Sequence, residues 1–322
     1  MDHADDGDDD GVFIYMGGDQ EVPEDVTHVR VHKSVKIITG SAFMNCRKLV
    51  SIKVHDGVEI IEREAFSECH SLGTIKLAGV RVIEMEAFYE CTALENVEFG
   101  DKLETIGFGA FSFTSLRNIK LPKIRVIEHC AFAGCEQLTY VKLSGDLETI
   151  GHGAFYNCPL RRIALPLKDD MFDEVDNDQH AFHDCDNLSQ VELIGGVHKT
   201  VSSLLLESWR NEMKDEIDRI NQVLPNTATE EKTRGIQDWM ERVLERIEHY
   251  KSEHYALLKE FTTLLELALW KANLDNNVGY DAAAREGVRV TRGQRKRARK
   301  ERCITSGDSI VIKNVLPFLE LE

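Results

Sequence analysis

Short runs of alternating apolar and polar residues recur between residues 26 and 194. Leu49-x-x-Ile52-x-Val54 and Leu72-x-x-Ile75-x-Leu77 are examples, and Gly, Asp or Pro often follows such a run. Apolar residues at every second position predict short, half-buried β-strands. The residues that follow favour a turn after each strand.

These runs belong to a repeat marked by the dipeptide Ala-Phe, which occurs seven times at steps of 21 to 27 residues. An Ile lies four residues before each of the first six Ala residues, from Ile38 to Ile150. Three residues after each Phe stands a Cys, or Thr114 in the fourth copy. One copy is too short to bury its apolar side alone, so stacked copies are expected. The pattern predicts a parallel β-solenoid of about seven to eight coils.

The repeat also sets the predicted boundaries. Residues 1–25 are interpreted as an acidic N-terminal segment and cap, and residues 26–200 as the solenoid, with Val26-x-x-Val29-x-Val31 as its capping strand. The stretch Leu167–His180 has Asn177 where the repeat expects Ile, and it is rich in Asp and Glu. We therefore predict a projecting acidic loop there.

The pattern I-x-x-x-A-F-x-x-C-x-x-L-x-x-I-x-L resembles the BspA-type leucine-rich repeat, over roughly Val26 to Ile194. This resemblance implies a leucine-rich-repeat-like fold of the α/β repeat class and a ligand- or protein-binding scaffold, and it implies no reaction. Residues 208–212, 264–272 and 309–319 also resemble the C-terminal region of other repeat proteins, from which no activity can be transferred.

Apolar residues change to helical spacing after about Val201, so residues 201–275 are predicted to form a helical hairpin. Leu206, Trp209, Met213, Ile217, Ile220 and Leu224 mark a first helix that ends before Pro225. A second, longer amphipathic helix is predicted from near Thr229 to Asn273, with an apolar heptad seam over residues 236–268. The first helix is expected to pack on the last coil. The surplus seam of the second helix either packs on the solenoid or serves self-association or partner binding.

Residues 276–322 contain a basic tract at 289–302 and then a predicted strand and apolar anchor, Ser309–Leu319. The core of the tract is formed by Arg295, Lys296, Arg297, Arg299 and Lys300. Such a tract is typical of a nuclear-import signal or of binding to polyanions such as RNA or lipid head groups. Alternatively, it is a solvated loop that contacts the acidic solenoid.

Composition narrows the function classes. The 322 residues are 42% hydrophobic and 30% charged, with a net charge of −17. This balance favours a folded protein and argues against nucleic-acid binding except through residues 289–302. The acidic start is unlike a signal peptide, and the longest apolar stretch, Leu257–Leu274, carries charges. We expect an intracellular protein, cytoplasmic or nuclear, without membrane attachment.

One row of strand positions stands out against this acidic background. The central residue of each V/I-x-L run is expected to point to solvent. Reading these residues coil by coil gives Arg30, Lys53, Lys76, Glu98, Lys120, Lys142, Ala164 and Glu192. The basic row (Arg30, Lys53, Lys76, Lys120 and Lys142) is interpreted either as a recognition strip for an acidic protein partner or as a solvated surface offset by acidic neighbours.

Catalytic and metal-binding patterns are weak. Six of the eight cysteines occupy the repeat position, where small buried residues suffice, and their spacing is unlike that of metal ligands. His180-x-x-His183-x-Cys185 and Asp176-Asn177-Asp178 are considered as metal sites and disfavoured. No nucleophile elbow, phosphate loop or zinc-protease motif is present. We therefore predict a non-catalytic interaction scaffold without metal or cofactor; the alternative is a nuclear or polyanion-associated factor acting through residues 289–302.

Overall fold

The computed structural model describes residues 11–173, 180–196, 201–202, 204 and 206–285, and for residues 272–285 it gives the backbone alone. The predicted fold class is confirmed: a parallel β-solenoid is followed by a long helical region. Contacts divide the chain into two units. The first comprises Met1–Val201 and Asn211–Glu245, and the second comprises Ser202–Arg210 and Arg246–Glu322.

The described part of the solenoid contains fifteen short strands, and every pair formed between them is parallel. In chain order they are β1 Phe13–Tyr15, β2 His28–Val31, β3 Ile37–Ile38, β4 Ser51–Lys53, β5 Ile60–Ile61, β6 Thr74–Leu77, β7 Val82–Ile83, β8 Asn96–Phe99, β9 Thr105–Ile106, β10 Asn118–Lys120, β11 Val126–Ile127, β12 Tyr140–Lys142, β13 Thr149–Ile150, β14 Arg162–Leu165 and β15 Gln190–Leu193.

The strands alternate between two sides of the coil. One side, which we name the sheet face, runs β1-β2-β4, β6-β8 and β10-β12-β14-β15, and contacts between β4 and β6 and between β8 and β10 continue it. The other side is a six-stranded sheet, β3-β5-β7-β9-β11-β13, whose inner isoleucines are fully buried. Among the described residues, six coils therefore carry strands on both sides, slightly fewer than the seven to eight predicted.

A ladder of phenylalanines fills the core between the two sides. The rings from Phe43 to Phe182 stack with centroids 5.0 to 5.7 Å apart, because each Ala-Phe unit falls at the same place in its coil. Tyr15 of β1 packs on Phe43 at 4.9 Å and shares a hydrogen bond of 2.8 Å with Thr39. The prediction that β2 is the terminal strand is therefore wrong: β1 pairs with its outer edge, and Tyr15 closes the ladder.

Residues 171 and 172, which the sequence assigns to the predicted acidic loop, belong to the solenoid. Phe172 forms a parallel bridge with Ile150, the peptide N–H of Ile150 donates to the Met171 carbonyl at 2.7 Å, and both Met171 and Phe172 are buried. Phe172 thus takes the place that was assigned to Asn177. The acidic residues 174–179, with the considered calcium motif, lie outside the described residues.

Two α-helices follow the solenoid in the described residues. Helix α1 spans Glu207–Val223, two single 3₁₀ turns cover Leu224–Asn226 and Thr229–Glu231, and helix α2 spans Lys232–Arg285. The first helix ends before Pro225 as expected. The second continues well past the predicted end at Asn273.

Side chains from the two helices occupy the hydrogen-bonding positions that a further coil would fill. The Asn221 amide accepts the Val191 peptide N–H at 2.7 Å and donates to the Val191 carbonyl at 3.2 Å. The Thr233 hydroxyl accepts the Phe182 peptide N–H at 3.0 Å, a proton that earlier coils give to the next alanine carbonyl. The Lys232 ammonium donates to the carbonyls of Cys185, Asp186 and Leu188 at 3.2, 2.8 and 2.8 Å. The hairpin therefore caps the solenoid.

The second unit contains an aromatic contact between its two segments. Trp209 stacks on Tyr250 at 5.0 Å and meets His254 edge-on at 6.3 Å. His254, a polar residue at a seam position, thus contacts a tryptophan. Beyond it the seam of α2 is exposed.

Candidate functional site

The basic row lies on the sheet face. In each strand the residue preceding the row position is buried, as Ile52, Ile75 and Val141 are, so the row positions point outward. Strand pairing places Arg30 beside Lys53, Lys76 beside Glu98, and Lys120 beside Lys142. The structure therefore brings the predicted residues into one line across the strands.

Three lysines of this row are uncompensated. Lys53, Lys120 and Lys142 are exposed and form no ion pair within 4.0 Å among the described residues, whereas Lys76 pairs with Glu98 at 3.6 Å. Many cations elsewhere on the solenoid pair with a carboxylate of a neighbouring coil. Examples are Arg47–Glu68 at 2.7 Å, Arg81–Glu104 at 3.2 Å and Lys123–Asp146 at 3.1 Å.

The end of the row departs from the prediction. Ala164 was expected to face solvent, but it is only 3% exposed. It is paired with Lys142 and Glu192 of the neighbouring strands, which carry much longer side chains than its single methyl group. An outward Cβ direction does not guarantee exposure when the side chain is this short.

A cluster missed by the sequence reasoning lies beside Ala164. The Arg162 guanidinium sits 4.6 Å from the Tyr140 ring centroid, and its Nε lies 3.3 Å from the Glu192 carboxylate. The Tyr140 hydroxyl donates to the same carboxylate at 3.5 Å, and burial together with the Glu192 charge raises the pKa of Tyr140. Arg162 and Tyr140 stand two residues before row positions, and that spacing could have revealed them.

The opposite side of the coil carries charges in alternation. The residue immediately before each strand of the six-stranded sheet is charged, and the signs alternate along the row: Lys36, Glu59, Arg81, Glu104, Arg125 and Glu148. Lys36 pairs with Glu59 at 3.9 Å, and the Arg125 Nε donates to Glu148 at 3.0 Å. Neighbouring coils neutralise each other here, so this side offers little net charge to a partner.

The long helix provides a second surface. Its seam is buried from Ile236 to Tyr250, but the seam residues Leu257, Phe261 and Leu264 are 46%, 72% and 56% exposed. Trp270, which lies outside the seam, is 66% exposed. This matches the expected surplus seam of the longer helix. Exposed apolar side chains in such a series are typical of an interaction surface.

The ladder cysteines have a structural role. Cys69, Cys91 and Cys158 are buried, and each thiol donates to the phenylalanine carbonyl one coil earlier at 3.0 to 3.1 Å. Thr114 occupies the same position, but its hydroxyl donates to the Phe111 carbonyl of its own coil at 2.9 Å. The cysteines of the described part are free thiols rather than disulfides.

The residues of the disfavoured metal motif His180-x-x-His183-x-Cys185 make other contacts. The Cys185 thiol donates to the Phe155 carbonyl at 3.0 Å, and His183 stacks on Tyr156 at 5.7 Å. Within the ranges that the structure describes, no three His, Cys, Asp or Glu side chains are grouped as metal ligands would be. Over the same ranges, a helix with the length and apolar content to cross a membrane is not found.

The basic tract, including Arg295, Lys296, Arg297, Arg299 and Lys300, lies outside the described residues, as does the predicted strand and anchor at 309–319. Its role stays a prediction.

Comparisons with known proteins bear on the solenoid. The sequence matches the BspA type leucine rich repeat region in six copies, over residues 23–125 and 110–209. A leucine-rich repeat protein from Bacteroides ovatus is 28% identical over 57% of this chain and 43% of its own, with a TM-score of 0.41. The leucine-rich repeat protein of T. pallidum is 25% identical over 51% of this chain and 67% of its own, with a TM-score of 0.37. The chain thus spans less than half of the Bacteroides ovatus protein. A search of curated proteins finds no match.

Proposed function

The chain belongs to the BspA-type leucine-rich repeat family, and from this premise we propose that it is a non-catalytic scaffold that binds an acidic protein partner through its sheet face. Solenoids of this kind present extended surfaces for protein binding. The observation that supports the sheet face is the row of uncompensated lysines, Lys53, Lys120 and Lys142.

The charges of the rest of the solenoid strengthen this choice. On the opposite side, cations and carboxylates alternate and pair between coils. On the sheet face, like charges stand on adjacent strands about 4.8 Å apart, an arrangement that costs stability unless something offsets it. An acidic partner would offset this repulsion. Because the chain as a whole has a net charge of −17, a basic row is the surface to which an acidic partner would be attracted.

A charge-reversal experiment tests this proposal. The variant Lys53→Glu, Lys120→Glu and Lys142→Glu should lose its captured partner, because about 1 kcal/mol per reversed charge corresponds to about a hundredfold in Kd for three. The matched control reverses three exposed lysines outside the strands, Lys33→Glu, Lys48→Glu and Lys102→Glu. Equal loss in both variants, or no loss in the first, would contradict the proposal.

A second surface is supported by the exposed seam of α2. The seam residues Phe261 and Leu264, with Trp270 beyond the end of the seam, would bind a partner, or a second copy of the chain, by burial of apolar area. The alternative of a nuclear or polyanion-associated factor rests on the sequence of residues 289–302 alone. Deleting that tract should leave the partner of a scaffold bound, whereas a polyanion binder would lose binding and its steep salt dependence.

A further inference from the structure

The charges on the sheet face recur once per strand. Lys53, Lys76, Glu98, Lys120 and Lys142 stand on five neighbouring strands of the sheet face, β4, β6, β8, β10 and β12. Strands in a sheet lie about 4.8 Å apart. The phenylalanines of the same coils repeat at 5.0 to 5.4 Å. A ligand that crosses the strands therefore meets one charged side chain about every 5 Å.

This spacing discriminates between the forms that an acidic partner could take. An α-helix returns a side chain to the same side once per turn, every 5.4 Å or so. An extended chain does so every second residue, about 6.7 Å. Over the four steps from Lys53 to Lys142, a helix drifts by about 2 Å, whereas an extended chain drifts by about 8 Å, more than one strand spacing. Flexible lysine side chains can adjust to the mismatch of the helix but not to that of the extended chain.

Glu98 determines how the charges of a bound helix would have to align with the charges of the row. It interrupts the lysines at the middle strand and pairs with Lys76 at 3.6 Å, with both side chains 63% exposed. A helix that is acidic at every turn would bring a carboxylate against Glu98. A helix with a basic residue at its middle turn would meet every charge of the row with its opposite.

We propose that the sheet face binds an acidic α-helix laid across strands β4 to β12, with acidic residues opposite the four lysines and a basic residue opposite Glu98. This inference rests on the proposed function, because it names the form of the partner at the same face. It adds a spacing and a register that the proposed function does not require.

The first test compares two labelled peptides of about 18 residues with identical composition. One carries Glu at i, i+4, i+11 and i+14 and Lys at i+7, in a helix-forming background. The other carries the same charges at alternate residues. In fluorescence anisotropy with the full chain at low salt, the first should bind about tenfold tighter, or about 1.4 kcal/mol. Equal affinities, tighter binding of the second peptide, or no binding of either peptide would overturn the proposal that the partner is a helix.

These outcomes are separable from failure of the proposed function. If the helix is wrong but the proposed function holds, reversal of Lys53, Lys120 and Lys142 still abolishes capture of the native partner. If the proposed function fails, that reversal leaves capture unchanged.

The register is tested by exchanging the central charge. Glu98→Lys should reverse the preference, so that the variant binds a peptide with Glu at i+7 about tenfold tighter than the Lys peptide. The exposure of Glu98 makes the substitution compatible with folding, which thermal unfolding would check. If the wild type and the variant prefer the same peptide, the register is wrong.

Discussion

The repeated cysteine is selected as a small donor and not as a reactive group. Its thiol donates to a backbone carbonyl of the preceding coil, as in Cys69 to Phe43 at 3.1 Å, so a polar atom of the core is satisfied. Burial raises the pKa of Cys46 and of Cys185 to about 12. A thiol that stays protonated is a poor nucleophile and a poor metal ligand. These contacts argue against a redox role for the ladder.

Thiol labelling should separate the ladder cysteines from Cys130, which lies outside the repeat position. In the native protein at pH 8, Cys46 and Cys185 should stay unlabelled by a maleimide, whereas the half-buried Cys130 reacts slowly. All should react after unfolding in denaturant, as peptide mass spectrometry would show. Rapid labelling of Cys46 or Cys185 in the native protein would show that the ladder thiols are reactive and would contradict the structural role.

The same pKa values give a pH dependence. As the pH rises, the unfolded chain releases these thiol protons near pH 9, while the folded chain retains them to about pH 12. The contribution of Cys46 and Cys185 to stability is therefore complete below about pH 9 and falls between pH 9 and 12. The free energy of urea unfolding should fall less steeply over this range in the double variant Cys46→Ala, Cys185→Ala.

At single positions, the alternation of apolar and polar residues predicts where a side chain points better than it predicts which neighbours surround it. It placed Lys53, Lys120 and Lys142 outward correctly, because each is flanked by apolar strand residues. It missed the burial of Ala164 and the pairing of Arg162, since both depend on the lengths of side chains on neighbouring strands. Such contacts between neighbouring strands depend on how the strands are aligned, which the sequence of one repeat alone does not show.

Among the elements, the helical hairpin matters most to the solenoid because it ends the stack. An open last coil would leave the carbonyls near Cys185 and the Val191 backbone without the partners that the next coil provides. Lys232, only 1% exposed, supplies three of the missing hydrogen bonds, and Asn221 supplies two. Burial lowers the pKa of Lys232, and the nearby Cys185 and Asp186 side chains oppose this shift.

Removal of this cap should destabilise the solenoid from its end. Lys232→Met keeps the apolar stem but removes three hydrogen bonds, and of the three carbonyls that of Cys185 keeps the Leu188 peptide N–H as a donor. The expected cost is about 1–3 kcal/mol. The control Lys251→Met removes a lysine that pairs with Glu248 on the same helix and should change stability by less than about 0.5 kcal/mol. Urea unfolding gives both values, and hydrogen exchange should show β15 opening first in the Lys232 variant. Equal stability of the two variants would mean that the lysine does not serve as a cap.

The sequence predicted the type of each element more securely than its limits. The Ala-Phe period identified the coils, and the heptad seam identified α2. It did not identify β1, because Phe13–Tyr15 precedes any Ala-Phe unit, or the bridge at Phe172, because Phe replaces the expected Ile. The capping contacts of Asn221 and Thr233 were also beyond it, since they join residues about 30 and 51 positions apart.

For the whole molecule, the two candidate surfaces differ in the physics of binding. The sheet face offers uncompensated charge, which acts through steering and weakens with salt. The exposed seam of α2 offers apolar area, which salt does not screen. A partner that remains bound at high salt would therefore point to the helix, and one that is released would point to the sheet face.

The helix surface makes its own prediction about assembly. If Phe261 and Leu264 pair with a second copy of the chain, the double variant Phe261→Glu, Leu264→Glu should be monomeric at concentrations where the wild type is dimeric, because carboxylates on the seam would be buried against apolar partners. Both positions are largely exposed in the single chain, so its thermal stability should change little. The matched control places the same charges off the seam, at Tyr255→Glu and Thr263→Glu, and should remain dimeric. Sedimentation velocity measures all three proteins. A monomeric wild type, or a seam variant that still dimerises, would leave α2 without a role in self-association and direct the search to a different protein partner.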